Sequence, residues 1–153
     1  MDSKCLESFL IPEYEIATEG LFSKMKEKRE AKKAERESAL EAKRKAFPIV
    51  KRKVVTDCKS ICNKYKAKNP KLPWKLKFVE EDNYVYIEVF TDEKYINPYY
   101  ADGNEGPDYN ETAHDVYENI YEEINKKYNN QETEGIKFSV DCEEWNEIDI
   151  YLN

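Results

Sequence analysis

Apolar and polar residues alternate in two pairs of short stretches in the second half of the chain. The first pair is WKLKFV and YVYIEVF, separated by the polar turn EEDN. The second pair is IKFSVDC and EIDIYL, separated by EEWN. In a β-strand, side chains point to the two faces in turn, so an alternating pattern puts all its apolar residues on one face. The pattern therefore indicates β-strands, and the polar turns predict two hairpins.

Two further stretches carry apolar residues at the spacing of a helix. After Pro48, residues three or four apart predict an amphipathic helix that ends near Asn69: Val50, Val54, Cys58, Ile61, Cys62 and Tyr65. A second helix is predicted to start with the pair Thr112 and Asp115, which fits a T-x-x-D capping sequence. Its apolar face is Val116, Ile120, Ile124 and either Tyr117 or Tyr128.

This order of elements predicts an α+β domain of the form αββαββ. A four-stranded antiparallel sheet with both helices on one face satisfies the two periodicities together. If the last strand is moved to the front, the order becomes that of a ferredoxin-like sandwich. The domain could therefore be a circularly permuted ferredoxin-like fold, which we predict to occupy residues 48–153.

A long charged helix is predicted in front of this domain, over residues 20–47. Residues 21–46 are rich in Ala, Glu, Lys, Arg and Leu and contain neither Gly nor Pro. The middle turns offer only Ala between charges, so they cannot form a core. A solvated helix is the simplest interpretation.

Charge is strongly segregated along the chain, although the net charge is only −7. Lys24 to Lys77 holds 20 Lys and Arg against 6 acids, while Glu80 to Asn153 holds 4 Lys against 21 acids. Such asymmetry indicates a charged partner, which can be a protein, a second copy, or DNA bound through residues 24–53. The predicted contact residues are Lys28, Arg29, Lys32, Lys33, Arg36, Lys43, Arg44 and Lys45.

The sequence gives no catalytic signature and no metal or cofactor motif. His114 is the only histidine, and no recognisable nucleophile motif or glycine-rich phosphate loop accompanies it. The stretch DGNEGPDYNE resembles a calcium loop, but Gly106 and Ala113 stand where ligands are needed. We therefore expect a protein that is not an enzyme and binds no cofactor or metal.

Aromatic residues on an open sheet face are a second way to bind nucleic acid. The candidates are Tyr84, Tyr86, Phe90, Trp145 and Tyr151. Carboxylates on the same strands, including Glu88 and Asp149, would repel phosphates. Ordinary cross-strand packing of these aromatics is therefore the preferred interpretation.

The cysteines and the hydropathy pattern bear on the compartment. Cys5, Cys58, Cys62 and Cys142 form no CxxC pair, and we expect reduced, mostly buried thiols rather than a zinc site or a disulfide. No run of about 18 apolar residues exists, and the N-terminus lacks the features of a secretory signal. These observations predict an intracellular or virion-associated protein without a membrane segment.

The N-terminal stretch LESFLIPEYEIATEGLFSKMKEKR resembles the leaders of virion proteins from tailed bacteriophages that use a prohead protease. Those leaders are short and acidic, and cleavage follows a Glu that has an apolar residue two or three places before it. The resemblance implies an acidic leader over residues 1–19, with the break between Glu19 and Gly20. The charged helix that follows is similar to scaffold or core proteins of phage heads.

Two functions remain open from the sequence. The first is a non-enzymatic phage or prophage protein, virion-associated or active in assembly, whose basic helix and acidic domain make electrostatic contacts. The second is a cytoplasmic binding module or inhibitor whose acidic surface imitates nucleic acid.

Overall fold

A computed structural model describes residues 12–99, 106–142 and 144–153, with side chains described from Gly20 onward. The chain divides into two compact units, Met1–Ala42 and Lys43–Asn153. The predicted leader falls largely outside the described residues, as do Cys5 and, in the calcium-like stretch, Asp102 and Asn104. The second unit contains the predicted domain, although it begins at Lys43 rather than at Pro48.

One helix, α1, spans Pro12–Lys68 and contains Pro48. The two helices predicted before and after Pro48 are therefore one helix, which corrects that boundary. Proline has no N–H to donate to the carbonyl of Arg44, and a helix-interior proline costs about 3 kcal/mol. Burial of Ala46 and Val50 on either side of Pro48 offsets that cost through packing.

The described residues of the second unit form one antiparallel sheet and a second helix, which confirms the α+β class. The elements after α1 are β1 (Trp74–Glu80), β2 (Tyr84–Phe90), a 3-10 turn (Glu93–Tyr95), α2 (Glu111–Tyr128), β3 (Glu132–Thr133), β4 (Ile136–Asp141) and β5 (Glu147–Leu152). The sheet order is β1-β2-β5-β4-β3. The C-terminal strand therefore lies inside the sheet, between β2 and β4. The permuted ferredoxin-like arrangement stays a prediction.

Both predicted hairpins are confirmed, but the sheet has a fifth strand that the sequence did not suggest. β1 pairs with β2 and β4 pairs with β5, as the alternating stretches predicted. The extra strand, β3, pairs with the start of β4 through a tight turn at Glu134 and Gly135. Both turn residues have positive φ, 52° and 80°, which is the conformation of a type I′ hairpin turn.

α2 has its N-cap two residues earlier than the T-x-x-D sequence predicted. Asn110 is its N-cap, and the Asn110 side chain accepts a hydrogen bond from the Ala113 N–H at 3.0 Å. An N-cap Asn satisfies a helix donor as well as a Thr does, so the two candidates competed locally. The sequence predicted either Tyr117 or Tyr128 on the apolar face, and both side chains are buried.

The core lies between the two helices and one face of the sheet. α1 contributes Val50, Val54, Cys58, Ile61 and Cys62, α2 contributes Val116, Ile120 and Ile124, and the strands contribute Ile87, Val89, Ile136, Phe138, Ile148, Ile150 and Leu152. Nearly all of these positions belong to the predicted apolar faces. The opposite sheet face carries the polar members of each strand.

Asp57 ties α1 to the end of α2. Its carboxylate accepts a hydrogen bond from the Tyr128 hydroxyl and lies 3.2 Å from Lys53 Nζ and 3.4 Å from Lys127 Nζ. Burial raises the pKa of the Asp57 carboxyl, but the hydrogen bonds from Tyr128 and Lys53 and the charge of Lys127 outweigh it and hold the pKa below its usual value.

We expect Asp57→Asn to lower the free energy of unfolding by about 1 kcal/mol near neutral pH, because Asn keeps an acceptor for Tyr128 but loses the charge. Since the folded pKa is depressed, the charge stabilises the fold above the unfolded pKa of about 4, and this contribution is lost as the pH falls through the folded pKa. Urea unfolding of both proteins at neutral and acidic pH measures this. A difference that is the same at both pH values would contradict the assignment.

Candidate charged interface

Five of the eight predicted contact residues lie in the first unit, on the part of α1 that precedes Ala42. Lys28, Arg29, Lys32, Lys33 and Arg36 are all exposed. The other three, Lys43, Arg44 and Lys45, belong to the second unit, where Lys43 is half-buried and the other two are exposed. The structure thus divides the predicted set between the two units.

The five upstream bases form one stripe along the helix, which we call the basic stripe. Lys28, Lys32 and Arg36 are four apart, as are Arg29 and Lys33, so at 3.6 residues per turn they share one side. The glutamates Glu27, Glu30, Glu37 and Glu41 lie toward the other side, whereas Glu35, seven residues after Lys28, lies at the edge of the stripe. Lys33 and Glu37 approach to 4.0 Å, but both side chains are mostly exposed, so this ion pair adds little stability.

Four large apolar side chains extend the basic stripe at its two ends. Leu21, Phe22, Met25 and Leu40 are exposed by 60, 61, 47 and 64%. Phe22 is seven residues before Arg29, and Leu40 is seven after Lys33, so each lies on nearly the same side as a stripe residue. A helix that only needed to be solvated would gain nothing from these residues. The combination of bases and apolar groups is typical of a helix that docks on a partner.

The next bases along α1 already have partners inside the second unit. Lys51 Nζ donates a hydrogen bond to the Glu81 carbonyl at 2.5 Å, Arg52 lies 3.7 Å from Glu80, and Lys53 pairs with Asp57. The first two contacts join α1 to the hairpin of β1 and β2, and the third lies within α1. Of the predicted DNA-binding range 24–53, the upstream part is therefore the better candidate for an external contact.

The second candidate surface surrounds Trp145, in the connection between β4 and β5, and we call it the Trp145 surface. Two hollows of about 750 and 260 Å³ meet at this residue. Eight carboxylates line them, together with Tyr121 and the buried Tyr117: Glu88, Asp92, Glu93, Glu118, Glu122, Asp141, Glu144 and Glu147. No Lys or Arg is among the described residues that line either hollow, although Glu88 pairs with Lys75 at 3.0 Å and with Lys77 at 3.8 Å outside them. Trp145 itself is 41% exposed.

Asn146 holds Trp145 in place through the backbone of β2. The Phe90 N–H donates to Asn146 Oδ1 at 2.6 Å, and Asn146 Nδ2 donates to the Phe90 carbonyl at 2.5 Å. Asn146 has φ of 78°, a left-handed conformation that Asn tolerates better than most residues. Next to it, the Tyr117 hydroxyl donates to the Glu147 carbonyl at 2.9 Å. The exposed indole therefore stands on a well-fixed connection.

His114 lies at the border of the Trp145 surface, and its ring is close to the indole ring of Trp145. Its Nδ1 is 2.6 Å from the Ile96 carbonyl, and its ring centroid lies 6.1 Å from that of Trp145. His114 Nε2 is 3.3 Å from Glu118, and with Asp115 these residues offer three possible ligand atoms within 4.8 Å. Both carboxylates are exposed, and exposed acids often gather without a metal. The prediction that His114 has no catalytic or metal role remains a prediction.

The aromatic residues that are candidates for a nucleic-acid face, and for which ordinary packing is the preferred interpretation, do not form one surface. Tyr84, Tyr86 and Tyr151 do cluster, with the Tyr84 centroid 6.0 Å from Tyr86 and 5.5 Å from Tyr151. Phe90 is instead fully buried. Trp145 lies in the connection after β4, on the Trp145 surface. Burial and the charge of Glu81 raise the pKa of Tyr84, so the cluster is itself in an acidic setting.

The three described cysteines are free, as predicted. Cys58 and Cys62 are buried on α1, and Cys142 is half-buried beside Tyr117. Burial raises the pKa of the Cys62 thiol to about 12, so it stays protonated at neutral pH. These cysteines contribute packing and give no sign of a reactive thiol.

Sequence reasoning found the basic stripe but missed the Trp145 surface. Its carboxylates come from separate parts of the chain, and only the turn EEWN, in which an exposed Trp stands among acids, could have drawn attention to it.

Neither described helix, α1 nor α2, is both long enough and apolar enough to cross a membrane. Comparison with known proteins adds no relative: no family model matches the chain, no curated protein is detectably similar, and no solved structure matches the fold.

Proposed function

We propose that this chain is a non-enzymatic assembly protein that makes electrostatic contacts through the basic stripe and the Trp145 surface. The observation that carries the proposal is the presence, on one chain, of exposed apolar residues among bases and an exposed indole among acids. Each surface combines a charge of one sign with apolar area that a partner would cover. Protein interfaces use this combination, since charge guides association and apolar contact holds it.

The setting we propose is a phage or prophage particle, and the support for it is the leader resemblance described above. Cleavage after Glu19 would leave Gly20 as the new N-terminus, just before the apolar residues Leu21 and Phe22. Mass spectrometry of the protein isolated from particles tests this setting. A mature chain that starts at Gly20 would support it, and a chain that keeps residues 1–19 in finished particles would contradict it.

The electrostatic role itself is tested by titrating the full chain, at low chain concentration, with labelled duplex DNA and with polyglutamate over a range of salt. We expect at least one polyanion to bind, with log affinity falling linearly in log salt. The double variant Lys28→Glu and Lys32→Glu should weaken binding about tenfold or more, by loss of two charge contacts on the stripe. A chain that binds neither polyanion at low salt would contradict the proposed role.

A matched control is available at the end of α1 and just after it. Lys66→Glu and Lys71→Glu change the net charge by the same amount, on exposed residues outside the basic stripe. This control should bind like the wild-type chain. Equal weakening by both double variants would mean that only total charge matters.

The alternative function is an inhibitor that imitates nucleic acid, and the eight carboxylates of the Trp145 surface favour it. Under this alternative, the chain binds a DNA-processing enzyme tightly and in competition with DNA. Reversal of Glu118 and Glu122 to Lys would abolish that binding, whereas Lys28→Glu and Lys32→Glu would leave it unchanged. The two functions therefore differ in which surface the partner needs.

A further inference from the structure

We infer that the partner of the basic stripe is the Trp145 surface of a second copy of this chain, so that like chains associate through opposite charges. This inference rests on the proposed function and identifies the partner. The basic stripe of one copy would thus contact the Trp145 surface of another copy.

The first argument is chemical complementarity. The stripe presents five bases with Leu21, Phe22, Met25 and Leu40 at its ends, while the Trp145 surface presents eight carboxylates around an indole and Tyr121. Lys and Arg beside Trp145 gain both ion pairing and cation–π contact. The apolar ends of the stripe gain burial against the aromatic side chains.

The second argument is spacing. Glu118 and Glu122 are exposed and four residues apart on α2, so their side chains repeat about every 6 Å along that helix. Lys28 and Lys32 are also four apart on a helix and repeat at the same distance. Two helices laid alongside one another can therefore match these charges pairwise. The larger hollow, about 750 Å³, has room for side chains of the docking helix.

The third argument excludes nucleic acid as the better occupant. A phosphate backbone could neutralise the bases, but it offers no apolar surface to Leu21, Phe22 or Leu40. The Trp145 surface offers both kinds of contact. Because each chain carries both surfaces, like chains can associate without a second protein, either in a closed ring or as a growing chain of copies.

Sedimentation velocity of the full chain tests the inference, with a concentration series at about 50 mM and another at about 500 mM salt. The higher salt screens contacts between opposite charges much more strongly. We expect mass to rise in multiples of the monomer at low salt and to return to the monomer at high salt. A chain that stays monomeric at every concentration in low salt would overturn the inference. The proposed function would survive that result if the polyanion titration is positive.

Two variants locate the contact. Trp145→Ala, at an exposed position, should weaken association about tenfold or more, as loss of a central interface Trp does. Lys28→Glu with Lys32→Glu should do the same, and the control Lys66→Glu with Lys71→Glu should not. Circular dichroism checks that each variant is folded. Association that persists unchanged in both Trp145→Ala and the stripe variant would overturn the inference.

Discussion

Asn146→Ala is expected to lower the free energy of unfolding by about 3 kcal/mol. The change removes two buried hydrogen bonds to the Phe90 backbone and leaves the Phe90 N–H and carbonyl without these partners. It also places Ala at φ of 78°, which costs about 1 kcal/mol more than Asn there. Urea denaturation followed by circular dichroism measures the loss.

Asn130→Ala is the matched control for the backbone part of this effect. Asn130 also has positive φ, 63°, but its side chain is exposed. We expect this variant to lose about 1 kcal/mol, the conformational part alone. Equal losses in the two variants would show that the Asn146 side chain does not hold the connection to β2.

Phe90→Ala is expected to lower the free energy of unfolding by about 4 kcal/mol, the usual range for a buried Phe. Phe90 is fully buried at the end of β2, and its ring centroid lies 4.8 Å from that of Trp74. Truncation would leave a cavity beneath the start of β1. Thermal and urea unfolding both measure this change.

Tyr86→Ala on the same strand provides the comparison, since Tyr86 is half-buried on the opposite sheet face. Its loss should be smaller, about 1 kcal/mol, because little of the core is removed. If Phe90→Ala left stability unchanged, Phe90 would be a surface residue, as the disfavoured alternative of a nucleic-acid face required.

Much of the fold could be predicted because the relevant signals are local and repeated. The alternation in β2 and β5 and the three-and-four spacing of Val116, Ile120 and Ile124 each fix one buried face. Breaks in the pattern were predicted less well. Pro48 is a strong local helix breaker, yet packing of Ala46 and Val50 carries α1 through it. β3 has only the exposed residues Glu132 and Thr133, so no apolar pattern marks it.

The candidate site could be predicted only in part, for a related reason. The basic stripe lies within one helix, so sequence spacing alone places its members together. The Trp145 surface depends on the sheet order, which places the end of β2 beside the start of β5, and on α2, which lines the second hollow at Trp145. Glu88 and Glu147 face each other across the strand pair and line one hollow, while Glu118 lines the other. Neither charge counts nor periodicity predicts such a meeting.

The most direct test of the two opposed surfaces is a mixing experiment with two charge-reversed variants. One carries Lys28→Glu and Lys32→Glu on the stripe, and the other carries Glu118→Lys and Glu122→Lys on the Trp145 surface. Each variant alone should sediment as a monomer at low salt, because positions 28 and 32 on the stripe then carry the same charge as positions 118 and 122 opposite them. An equimolar mixture should associate, since the glutamates introduced at positions 28 and 32 of one variant then face the lysines introduced at positions 118 and 122 of the other. A mixture that remains monomeric would contradict the pairing of these two surfaces.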